Sequence, residues 1–491
     1  MKKETKNKSN KTKGFVLTSF SIIAIIVILL GIITQFLPTA KCETIVEGVC
    51  TSYVDGSGVI AAKLSDILIA PIKGFGNAAD VSIFIFILGG FLAIVSKTKS
   101  LETGIQVLVR KLKGKELILI PILMFIFSIG GTTYGMLEET VGFYALLSAT
   151  MVVAGMDTIV ASATILLGAG VGVLGSTVNP FAVGVAIGAL PPGIPVNQGL
   201  IIGIGAALWI VSYIIAVLFV VNYAKKVIKD KGSTFLSLQE QKNMEQTYAK
   251  ADTFDDVKLS GKQKFTLWIF GLTFLVMIVG FIPWESFGVT LFDKTGFLTG
   301  NPLGAWYFEE SALWFLLSSL LIAVINGISE KDYVSTFIAG ASDMMGVILI
   351  IAIARGASVL MQVTHLDNYI IYNAASALKN VPAVLFAPLN YLLHVVLSVL
   401  VPSSSGLATL STPIMGPLAY QVGFNVESTV MTMVAANGLV NLITPTCGAI
   451  MGGLALAKVE YSTWFKWAFK VVACIGLASM VILTLSTIIL S

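Results

Sequence analysis

The chain has 491 residues, 56% of them hydrophobic and only 12% charged, with a formal net charge of +4. Soluble domains carry about 25% charged residues, and their apolar runs stop short of the ~18 residues that mark a membrane span, so a water-soluble fold is excluded. Two histidines and four cysteines without a Cys/His cluster leave a metal site or bound cofactor without support, and no nucleic-acid partner is expected. The fold class is therefore an all-α polytopic membrane protein with the lipid bilayer as its first partner.

Six lysines in residues 1–13 read as a basic cytosolic tail, 1–14, that anchors topology rather than binding nucleic acid. The apolar run 15–35 is long for a signal peptide and lacks a small-x-small cleavage pattern, so it is taken as a first outward span. Cys42 and Cys50 bracket a short polar segment on the outer face, where they could form a disulfide. Residues 81–95 return inward. Residues 116–150 are too short for two full spans and read as a re-entrant hairpin turning at Gly130–Gly135. The segment 158–190 then crosses outward through a break at Gly175–Pro180, and 200–221 returns. These elements make a first repeat, 15–222, followed by a cytosolic linker, 223–264, and an extra transmembrane helix, 265–282.

The extra span inverts the second half of the chain. In a second repeat, 311–491, residues 383–419 form a hairpin opened from the other face, 428–456 cross through a break at Thr444–Gly448, and the C-terminus ends outside. The copies align with Gly90 against Gly356, Leu101 against Leu366, Gly131 against Pro402 and Ser176 against Thr444. Their loops carry opposite basicity: 97–115 holds six Lys/Arg and 365–380 holds one. Basic residues favour the cytosolic side, so this is the charge signature of two inverted-topology repeats, each with a re-entrant hairpin and an interrupted helix.

Backbone that leaves a helix inside a bilayer must be buried in protein or line a polar cavity, which places a solute site where hairpins and breaks meet. The candidate substrate-binding residues are Thr132, Thr133, Ser176, Thr177 and Asn179 in the first half. Those of the second half are Ser403, Ser404, Ser405, Asn437, Asn441, Thr444 and Thr446. Glu138 and Glu139 follow the first hairpin tip, and their repeat partners are Thr409 and Leu410, so the acid pair belongs to one half. Ionisable residues inside a membrane mark function; here a carboxylate would pair with a cationic substrate or take a coupling proton. Arg355, in the apolar run 347–360, is expected either to hold a substrate carboxylate or, preferably, to form an internal ion pair with Glu138 or Glu139. Asp157 and Asp343 read as boundary residues, and His394 as a satisfied core histidine.

The runs GGTTYGMLEETVGFYAL (130–146), GAGVGVLGSTVNPFAVG (168–184), VPSSSGLATLSTPIMGPLA (401–419) and NGLVNLITPTCGAIMGGLALAKV (437–459) resemble the YfcC-type branch of the C4-dicarboxylate anaerobic carrier (DcuC-like) family, within the ion-transporter superfamily. The resemblance covers nearly the whole chain from Phe15. It implies a scaffold plus a hairpin-bearing transport domain moving as an elevator in the inner membrane, and a homodimer. It also implies a small-molecule substrate, a carboxylate or an amino acid, with Na+ or H+ as a coupling ion left open. The branch includes arginine/ornithine exchangers, and Glu138 and Glu139 suit a basic amino acid better than a dianion. Basic amino acid exchange by alternating access is thus the expected function, with dicarboxylate transport as the alternative. An intramembrane enzyme is disfavoured, because Ser405-Gly406 lacks the preceding glycine of a serine-nucleophile motif and no histidine follows His394.

Overall fold

A computed structural model of the chain describes residues 19–46, 49–101, 103–104, 107, 115–248, 258–282 and 284–490. The basic tail 1–14, the centre of the 97–115 basic cluster and residues 249–257 of the linker lie outside the described residues. The described residues are helical apart from one antiparallel pair, β1 (Cys42–Val46) and β2 (Val49–Tyr53). Cys42 and Cys50 are joined by a disulfide across this pair.

Seven described helices are long and apolar enough to cross a membrane, or eight if the bent pair Glu330–Asp343 and Ile348–Val363, meeting at 43°, counts as one span. The chain begins with α1 (Ser19–Ile33), α2 (Leu64–Gly76) and α3 (Ala79–Lys97). The first hairpin is α4 (Leu119–Tyr134), a 3-10 turn at Glu138–Phe143, and α5 (Tyr144–Val153). Its tip turns at Gly135, where φ is 80°, a left-handed conformation that glycine adopts without Cβ strain. The segment expected to break at Gly175–Pro180 is α6 (Thr158–Leu174), a π-helical turn at Pro180–Gly184 and α7 (Val185–Gly188). The long α8 (Gln198–Lys229) and the short α9 (Leu238–Tyr248) come next, then α10 (Gly261–Phe281).

The second half holds α11 (Phe308–Asn326), α12 (Glu330–Asp343), α13 (Met345–Val363) and α14 (Leu366–Leu378). Its hairpin is α15 (Ala383–Leu400) and α16 (Ser404–Gln421), and its broken helix is α17 (Val426–Val440) and α18 (Gly448–Ala457), closed by α19 (Tyr461–Leu490). Proline in α15 (Pro388) and in α16 (Pro413, Pro417) is tolerated in membrane helices, where neighbours satisfy the freed backbone groups.

Packing sorts these helices into two bundles. In the hairpin bundle, α4 packs on α6 and α15 on α17, with α8 against both broken helices, α19 against the second, and α8 and α19 against each other. Every residue of α6 and of α17 is buried, so neither meets lipid and each relies on neighbours for all its contacts. Small residues set the closest approach. A Cβ on Gly131 would fall 2.1 Å from the Ala169 carbonyl oxygen, and one on Gly172 would fall 2.1 Å from that of Ser128, so α4 and α6 touch backbone to backbone. In the flanking bundle, α3 packs against α11 and α12 while α13 packs against α1 and α2. The bundles meet chiefly where α13 lies on α18, and where α14 touches α15 and α16.

Candidate functional site

Between the bundles lies a cavity of about 120 Å³, well below the ~300 Å³ of drug-sized sites and suited to a small solute. The hairpin bundle contributes Glu138 and Glu139 from beyond the first tip, Ser403–Ser405 from the second tip, and Asn441, Thr446 and Cys447 from the second break. Across from them the flanking bundle supplies Tyr307, Ile351 and Arg355.

The second break is built by amides. Asn437 and Asn441 stand one helical turn apart, on one face of the chain. Asn441 Nδ2 donates to the Pro402 carbonyl (2.8 Å) and to Asn437 Oδ1 (3.1 Å). Asn437 Nδ2 donates to the same carbonyl (3.2 Å), and Asn437 Oδ1 also accepts from Ser404 Oγ (2.9 Å). With its Nδ2 committed to two acceptors, the orientation of Asn441 is fixed, and its buried Oδ1 is left without a partner. A buried polar atom without a partner costs free energy; here it belongs to a residue of the cavity wall and is an acceptor in want of a donor. Thr446 Oγ1 donates to the Val399 carbonyl (2.7 Å) and shares a hydrogen bond with Thr444 Oγ1 (2.8 Å).

Two helices start at this wall. Ser403 caps α16, its Oγ accepting from the Gly406 N–H (3.3 Å), and Cys447 stands at the N-cap of α18. Helix N-termini carry free N–H groups and partial positive charge, so the second half offers the cavity an electropositive rim.

The first half is organised differently. Thr132 Oγ1 donates to the Gly175 carbonyl (2.8 Å) and to Thr177 Oγ1 (3.2 Å), and the Thr177 N–H donates to the Thr132 carbonyl (3.0 Å). Ser176 Oγ donates to the Val173 carbonyl (2.7 Å) and accepts from Asn179 Nδ2 (3.0 Å), whose Oδ1 accepts from the Phe181 N–H (3.0 Å). Thr133 Oγ1 donates to the Ile129 carbonyl (2.7 Å). Thr132 and Thr177 therefore stitch the first tip to the first break, Ser176 and Asn179 brace the break itself, and Thr133 bonds back within α4; all five stand behind the cavity wall, as do Asn437 and Thr444 in the second half. The other candidates, Glu138, Glu139, Ser403, Ser404, Ser405, Asn441 and Thr446, come together on the wall itself.

Glu139 is buried, with Oε2 accepting from the Leu137 N–H (3.0 Å). Glu138 is half-buried and has no hydrogen-bond or ion-pair partner among the described residues. The ion pair expected between Arg355 and these acids is not found. Among the described residues the one pair within 4.0 Å is Lys97–Asp332 at 3.6 Å, because Arg355 sits on α13, across the cavity from the hairpin bundle. His394 is buried and satisfied by the Asn390 carbonyl (2.8 Å) and Ser411 Oγ (2.6 Å).

Tyr307 and its neighbour Phe308 are the wall residues that sequence patterning misses. They have no counterpart in the repeat and come directly after a polar loop. That loop is held by Glu310, which accepts from the Tyr307 N–H (2.7 Å) and from Asn301 Nδ2 (2.6 Å). Tyr307 then meets Phe181 edge-on, with ring centroids 4.6 Å apart. The acidic pair Glu309-Glu310, just before an apolar run, marks the start of α11 and was the available signal.

A sequence profile for the C4-dicarboxylate anaerobic carrier family matches residues 17–488. The chain belongs to that family. The carrier is 30% identical to a Haemophilus influenzae relative named only "Uncharacterized protein", over 86% of its own length and 78% of the relative's. It is 28% identical to the Escherichia coli protein named "Putative basic amino acid antiporter YfcC", over 83% and 77%. The solved Alcanivorax borkumensis YdaH transporter superposes over 96% of the carrier and 98% of its own chain at 15% identity, with a TM-score of 0.46, a likeness too distant to carry an argument. Family and helices together make the carrier a multi-pass membrane transporter of a small-molecule substrate.

Proposed function

We propose that the carrier exchanges basic amino acids, of arginine or ornithine type, across the cell membrane by alternating access. The observation that supports this most is the pair Glu138 and Glu139 on the cavity wall with no ion-pair partner among the described residues. Glu138, half-buried and without a partner among the described residues, carries the argument: a cationic group offsets its charge and a dianion adds to it. The name of the Escherichia coli relative points the same way.

A second reading keeps one observation in its favour. The N-termini of α16 and α18, together with Arg355, suit a carboxylate, as the family description would have it. In proteoliposomes loaded with ornithine, counterflow of arginine, ornithine, lysine, succinate and citrate separates the two. Basic amino acids should exchange and the carboxylates should not, and Glu138→Gln should lower arginine exchange at least tenfold, since a charge-assisted hydrogen bond contributes ~1.5–3 kcal/mol. Succinate counterflow with no arginine counterflow would reverse the assignment.

In the same reading, the hairpin bundle moves as an elevator against the flanking bundle, and the halves are inverted repeats. The matched packings of α3 on α11 and α12 and of α13 on α1 and α2 support that arrangement. The N-terminus is placed in the cytosol and the C-terminus outside. The disulfide between β1 and β2, immediately after α1, agrees, because such bonds persist in oxidising compartments. A homodimer through the flanking bundle completes the proposal.

A further inference from the structure

We propose that Arg355, with the N-termini of α16 and α18, is the carboxylate-recognising half of an amino-acid site whose cation-recognising half is Glu138, so that a substrate must carry both groups to seat fully. This deepens the basic amino acid reading and rests on it.

The geometry is one of separated charges. Arg355 and Glu138 line one cavity, come from opposite bundles, and make no ion pair with each other. Opposite charges held apart in a site of low dielectric attract strongly whatever bridges them. A zwitterion is such a bridge. The guanidinium matches a carboxylate in two-pronged fashion, and the first-turn N–H groups of α16 and α18 reinforce it from the opposite wall. Asn441 supplies the independent sign of a ligand: its buried Oδ1 lacks a donor while its Nδ2 is fully committed. That acceptor suits the ammonium next to the carboxylate, leaving Glu138 for the cationic side chain. A diamine lacks the group that Arg355 holds, and a dicarboxylate lacks the one that Glu138 holds.

Because Arg355 belongs to the flanking bundle, the substrate in this arrangement spans both bundles. Movement of one against the other would break the Arg355 contact first and leave the ligand with the hairpin bundle.

The test compares arginine with agmatine, which is arginine without its carboxylate, by binding and counterflow on the full-length carrier in proteoliposomes. The wild type should prefer arginine by at least tenfold. Arg355→Gln should weaken arginine roughly tenfold to a hundredfold and leave agmatine unchanged, and Arg355→Lys should recover part of the loss. Unchanged agmatine binding also reports an intact fold. An Arg355→Gln variant that keeps the wild-type arginine-to-agmatine ratio overturns the proposal. If both variants bind neither compound, the wild-type ratio decides, and equal affinity for arginine and agmatine overturns the proposal. A wild type that binds neither compound removes the basic amino acid reading itself, whereas arginine binding with an unchanged ratio removes only the role of Arg355.

Discussion

Asn441 and Asp157 show how far single side chains can be read. The four-residue spacing of Asn437 and Asn441 is visible in the sequence, and the structure places both at the second tip. That only Asn441 reaches the cavity depends on where the Pro402 carbonyl falls, which no spacing encodes. Arg355 is legible as an outlier in an apolar run, but its partner is not, because that depends on how two bundles meet.

Asp157 is more than a boundary residue. It caps α6 by accepting from the Val160 N–H (3.0 Å), and it also accepts from the Tyr223 hydroxyl (2.5 Å) and Thr234 Oγ1 (2.6 Å). Burial raises its carboxyl above the ordinary range, against the opposing hydrogen bonds from Thr234, Tyr223 and Val160. The folded chain then holds this proton to higher pH than the unfolded chain, whose group titrates near ~3.9. The contribution to stability is full below that value and is lost as pH rises through the raised one. Asp157→Asn keeps an amide that can cap and removes the titration. The difference in melting temperature between wild type and Asp157→Asn should therefore shift against the wild type as pH rises from about 4, measured by thermal unfolding in detergent. A pH-independent difference would show that Asp157 titrates alike in the folded and unfolded chains.

At the scale of elements, both hairpins and both interrupted helices are announced by Gly, Pro and hydroxyl clusters inside apolar runs. The helices α2, α9, α12 and α14 are not. They are short, of 11 to 14 residues, and interrupted by polar or charged side chains, so they resemble loops between spans until a neighbour covers one face. The linker helix α9 is an instance of this. Glu240, buried at its first turn, accepts from the Ser237 N–H (2.8 Å), the Glu460 N–H (2.8 Å) and Thr463 Oγ1 (3.0 Å). Tyr248, at its other end, donates to the Leu456 carbonyl (2.6 Å). These bonds fasten the linker between the halves to the end of α18 and the start of α19. Glu240→Ala removes all three, each a hydrogen bond to a charged group of ~1.5–3 kcal/mol. Trypsin should then cut near Lys242 several times faster than in the wild type, scored by gel densitometry under native conditions. Equal cleavage rates would mean that α9 is held by its apolar contacts alone.

At the scale of the molecule, composition alone indicated a polytopic membrane protein, but the partition into two bundles was hidden because contacts between distant helices leave no local pattern. A second cleft beside the cavity tests the proposed motion. Gln362 and Asp367 line it from the flanking bundle, Ser405 and Thr409 from the second hairpin, and Ser405 also lines the cavity. Cysteines at Gln362 and Thr409, joined by a thiol-reactive cross-linker with a cleavable arm, should stop arginine counterflow by more than tenfold and release it when the arm is cut. Exchange that continues while the cross-link is intact would show that these walls need not part.

The complete burial of α6 and α17 bears on how the carrier is made. Chains emerge from the ribosome N-terminus first, so α6 reaches the bilayer before the helices that later cover much of its surface exist. Its residues are accordingly apolar, with Thr158, Ser162 and Thr164 as the exceptions. The late-arriving α17 carries Glu427, Ser428, Thr429, Thr432 and Asn437, and several of their partners are already synthesised: Asn197 for Glu427, Asn425 for Ser428, Pro402 and Ser404 for Asn437. The unequal polarity of two equally buried helices thus follows the order of biosynthesis, the more polar helix being made after several of the groups that its side chains bond.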